Sequence, residues 1–111
     1  MEEGREMIIV YTTLPSETDA KEIGGELVEK KLAACVNVFP GMFSIYRWQG
    51  EIETANETVM LVKTRKDLQN EVFEAISAKH PYAIPALFAF VPHDVGAPYF
   101  EWLCNQTGPE R

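Results

Sequence analysis

Cysteine is scarce in this chain: Cys35 and Cys104 are the only two in 111 residues. Two thiols so far apart make neither a disulfide framework nor a CxxC metal or redox motif. Long apolar runs are also missing. The longest, Met7 to Tyr11 and Ala86 to Val91, are far too short to cross a bilayer, so no membrane role is expected. Positive charge is in short supply, with ten Lys and Arg against 17 Asp and Glu and a formal net charge of −7. Such a surface repels phosphate backbones, and no basic stripe interleaved with aromatics offsets it, which argues against nucleic acid as a partner. A Gly-rich phosphate loop, a nucleophile elbow and an HExxH pair are absent too, so no enzyme class is signalled and no cofactor is required. Met1 to Glu6 lacks the basic start and apolar stretch of a signal peptide, which makes the cytoplasm the expected compartment.

What is present is an ordinary globular composition, 46% hydrophobic and 24% charged, enough for one domain over residues 1–111 with one core. Residues 1–6 and 106–111 are expected to be loose ends. Met7 to Thr13 reads as a buried strand ended by Pro15-Ser16. Ser16 with Asp19 has capping-box spacing, so a helix should start at Glu17, with Ala20, Ile23, Leu27 and Val28 inside and Glu26–Lys30 paired outside. Gly24-Gly25 costs that helix about 1 kcal/mol per glycine against Ala, which implies close packing there. Ala34 to Phe39 is a second strand, interrupted by a bulge at Pro40-Gly41 and resuming through Trp48. Gln49-Gly50 turns the chain into a third strand from Ile52, clearest at Val59 to Lys63.

Thr64 and Asp67 repeat the capping spacing ahead of a second helix striped by Leu68, Val72, Phe73 and Ile76, which must stop before Pro81. Ile84 to Val91 should be a largely buried fourth strand, and Tyr99 to Cys104 a short terminal helix. The order βαββαβ predicts a ferredoxin-like α+β sandwich, with a four-stranded antiparallel sheet and both main helices on one face. Its second and third strands are far longer than the usual five or six residues. Their hairpin carries Phe43, Ile45, Tyr46 and Trp48 beyond the sheet and needs cover from another chain, so an oligomer is expected.

The residues now resemble a family. Lys31-Leu32-Ala33-Ala34-Cys35-Val36-Asn37, Pro40-Gly41, Ser44-Ile45-Tyr46-x-Trp48-x-Gly50, Glu57, Lys63-Thr64, His80-Pro81-Tyr82-x-x-Pro85 and the tail around Tyr99 and Trp102 follow the order of the CutA divalent-cation-tolerance proteins. The resemblance implies an interlocked homotrimer linked to tolerance of divalent metals and to copper binding, without an established reaction. It attributes copper ligation to a Cys near the end of the first strand and to His residues before the Pro-Tyr pair. In this sequence Thr12 stands at the first position and Lys79-His80 at the second, so His80 alone carries over. Two places where the pattern often has an acidic residue hold Ala83 and Ala86.

His80 is thus the first metal candidate, set against a bland role closing a helix end. Cys35 is the second, set against a small core residue. His93 beside Asp94 reads as a loop-end polar pair and Cys104 as packing. Tyr46, Trp48, Tyr82 and Trp102, joined by Lys63 as a positive centre for a small anion, are candidates for a pocket between subunits, set against simple interface burial. Three functions are therefore weighed: a trimer for metal tolerance, a small-molecule signalling module like the PII regulators, and a structural hub for a partner protein. An acylphosphatase-like activity would need an Arg in the loop after the first strand, where Thr12 to Ser16 has none.

Overall fold

The computed structural model describes residues 6–108, so the loose ends expected at 1–5 and 109–111 lie outside the described residues. The elements run β1 (Met7–Leu14), α1 (Glu17–Glu29), β2 (Cys35–Trp48), β3 (Glu51–Arg65), a 3-10 turn (Lys66–Leu68), α2 (Gln69–Lys79), β4 (Leu87–Phe90) and α3 (Ala97–Gln106). One sheet holds all four strands in the order β2-β3-β1-β4, and every neighbouring pair is antiparallel. This is the ferredoxin-like order that the element sequence predicts.

Local chemistry explains the start of α1. Ser16 sits in extended backbone, its Oγ accepts the Asp19 N–H at 3.1 Å, and the hydroxyl in turn donates to the Asp19 carboxylate at 2.9 Å. The same reading fails at Thr64, which lies inside β3 and is buried. Its hydroxyl donates to the Leu32 carbonyl at 2.6 Å, and α2 is entered through the 3-10 turn with no side-chain cap. Sequence spacing could not tell a cap from a strand residue with a distant backbone partner.

Alternation in β1 and β3 sends Ile8, Val10, Leu14, Met60 and Val62 to the face covered by α1 and α2, where Leu27, Leu68, Val72 and Ile76 meet them. Each such side chain contributes roughly 1.5–3 kcal/mol through burial. Gly24 lets α1 lie close on β2, because a Cβ there would fall 2.8 Å from Val36 Cγ1, whereas Gly25 faces open space. Close packing thus accounts for one of the two glycines.

The opposite face is only partly covered. Met7 and Ile9, which alternate with Ile8 and Val10, pack with Ala34 against Leu103 and Phe100 of α3. The chain is held beyond α3: Thr107 is buried, its hydroxyl donates to the Leu103 carbonyl at 2.9 Å, and the Gly108 N–H donates to the Lys31 carbonyl at 2.7 Å. The loose end expected from 106 is corrected for 106–108 by these bonds. The fourth strand also needs correction. It is four residues long, and Phe88 is 50% exposed and Ile84 71%. This edge strand, on a sheet with its two main helices on one side, half-buries alternate residues only, so a continuous apolar run did not mean full burial.

The β2–β3 pairing continues to Trp48↔Glu51 and shifts register between Phe39 and Met42, which places the bulge at Pro40-Gly41 as expected. Positive φ at Gln49 (52°) and Gly50 (83°) makes a type I′ turn, whose twist matches the strands. The described residues extend 46 × 27 × 22 Å with a radius of gyration of 14.8 Å. A compact chain of this length would have about 13 Å, and the projecting hairpin accounts for the excess.

Candidate functional site

The site is built around the segment between α2 and β4. His80 closes α2 in extended backbone, and its Nε2 lies 2.8 Å from the Thr13 carbonyl of β1. A carbonyl only accepts, so Nε2 carries the proton. Nδ1 is then the bare nitrogen, and it accepts the Tyr82 N–H at 3.2 Å. Both ring nitrogens are used in pinning the segment to the sheet. Tyr82 is aimed by that latch, and its phenol donates to Glu57 Oε2 on β3 at 2.7 Å. Burial first, and then the Glu57 carboxylate, lift the Tyr82 phenol well above its usual range, so it stays a donor.

Tyr82 and Glu57 stand in a cavity of about 620 Å³ between this segment, the open face of β1 and the far half of β2. Tyr46 and Trp48 form its wall on the hairpin side, and Tyr11, stacked on Phe88 at 4.8 Å, lies across from them. Among the described residues, Glu57 is the only charged side chain in the lining. Tyr46, Trp48 and Tyr82 therefore line one cavity of the single chain. Lys63 does not join them: its Nζ lies 5.9 Å from the centroid of Tyr99 on α3, and Trp102 stacks on the same Tyr99 at 5.6 Å. Within one chain the charge in the described lining is the Glu57 carboxylate, and Lys63 lies elsewhere. Glu57 was missed as a site residue, although a buried-edge tyrosine needs an acceptor and Glu57 was among the motif residues.

The profile described as CutA1 divalent ion tolerance protein matches residues 8–106. The chain belongs to the CutA family. It is 43% identical over 100 residues to the divalent-cation tolerance protein CutA of Thermus thermophilus, covering 90% of this chain and 97% of that one. Against Protein CutA 1, chloroplastic, of Oryza sativa it is 38% identical over 90% of this chain and 56% of the relative, so it spans about half the length of the plant proteins it matches. The crystal structure of CutA1 from Ehrlichia chaffeensis superposes with a TM-score of 0.90 at 33% identity, covering 96% of this chain and all of that one.

CutA membership makes the metal positions worth testing against the geometry. Thr12 is fully buried on the helix-covered face, and its Oγ1 has no hydrogen-bond partner. Lys79 pairs with Glu26 at 2.7 Å, and Ala83 and Ala86, which carry no carboxylate, line the cavity. Cys35 opens β2 half-buried, cross-strand from Lys63, with Asn37 Nδ2 at 3.9 Å from its Sγ. No group of three His, Cys, Asp or Glu side chains converges among the described residues. A transition metal holds best with several imidazole or thiolate ligands, so the residues of one chain do not fit a copper centre. His93 is exposed beside Asp94, whose carboxylate accepts the Val95 N–H at 2.9 Å, and Cys104 is on the buried side of α3.

Proposed function

We propose that this CutA protein is a non-enzymatic homotrimer that contributes to tolerance of divalent cations. The observation that carries the reading is the match of nearly the whole chain to a bacterial relative named for that role. The exposed apolar hairpin supports self-association, because Ile45 is 69% and Ile52 67% exposed on strands that extend past the core. Metal contact in this reading, copper included, is made by ligands drawn from more than one copy, since His80 is engaged in its latch and no group of three His, Cys, Asp or Glu side chains converges among the described residues. The cytoplasm remains the proposed compartment, while named relatives are chloroplastic and one crystal structure, from Archaeoglobus fulgidus, is called periplasmic.

Native mass spectrometry of the full chain at micromolar concentration, titrated with copper(II) and then zinc, tests this reading. The expected result is a three-chain assembly that takes up metal in whole-number ratio, with uptake reduced in Cys35→Ser and kept in His80→Ala. A monomer overturns the assembly. A trimer that stays metal-free removes direct metal binding from the role.

A further inference from the structure

We draw no further inference here: the strongest candidate, the exposed groove between α1 and α2 lined by Glu22, Glu26, Glu29, Lys30 and Lys79, is an acidic cluster whose Glu26 is already paired with Lys30 and Lys79, and nothing in the structure points to a ligand for it.

Discussion

Strand β3 runs through two regions that differ in everything but their backbone pairing. From Val59 to Thr64 it alternates between half-buried and fully buried side chains, with Met60 and Val62 under the helices. From Glu51 to Asn56 it lies in the projecting hairpin, where Ile52 is exposed. The base is apolar because its own chain covers it. The far half of the hairpin is apolar with nothing of its own to cover it, and at its root those side chains wall the aromatic cavity. The same residue types therefore have different purposes in the two regions. In the base they supply folding free energy, and in the hairpin they stay exposed on the single chain.

Truncation in the base against truncation in the hairpin gives the widest separation. Met60→Ala should lower chain stability by about 2–5 kcal/mol in urea unfolding. Ile52→Ala should change the dilute chain by no more than about 0.5 kcal/mol. Any larger loss at Ile52 should grow with protein concentration, which would report the covering copy. Equal, concentration-independent losses at both positions would break the comparison.

The adjacent glycines of α1 sharpen it at closer range. Gly24→Ala must push a methyl group against Val36, a stiff β-branched side chain, and should cost about 1–3 kcal/mol. Gly25→Ala meets no atom and should add up to about 1 kcal/mol of stability by helix propensity. Thermal melts of the two variants should move in opposite directions.

Thr12→Val is a smaller test within the base. It removes a buried hydroxyl that has no partner and keeps the side-chain shape, so it should stabilise the chain by about 1 kcal/mol. A loss instead would reveal a partner for Oγ1.

The weakest expected effect is electrostatic. Hydrogen bonds from Lys30 and then Lys79 lower Glu26 to about 2 from 4.5. Its folded pKa is depressed, so its contribution is present above about pH 4.5 and disappears as pH falls toward 2. Glu26→Gln should flatten the acid limb of the stability profile slightly in that window, and salt should erase the difference because the pair is exposed.

Local chemistry made much of the fold legible. Ser16 and Asp19 marked the start of α1 because a cap needs only neighbours, and Gln49-Gly50 marked the hairpin because positive φ is a property of the turn itself. Pro40-Gly41 marked the bulge for the same reason. The misreadings share an opposite cause. Thr64 looked like a cap because its real partner, the Leu32 carbonyl, is 32 residues away. Ile84 to Val91 looked buried because an apolar run does not reveal that one face of its sheet is left partly open.

The site divides along the same line. Tyr46, Trp48 and Tyr82 could be grouped from the sequence as aromatics flanking a hairpin and a Pro-rich segment. Their charge could not, since Lys63 and Glu57 sit on one strand and only the position of Tyr82 decides which of them faces the rings. The order of apolar runs, turns and helix caps determined a ferredoxin-like chain with an overlong hairpin, because those signals act over a few residues. The acidic character of the cavity and the engagement of His80 were decided by tertiary structure, because both depend on which strand a distant loop is bonded to.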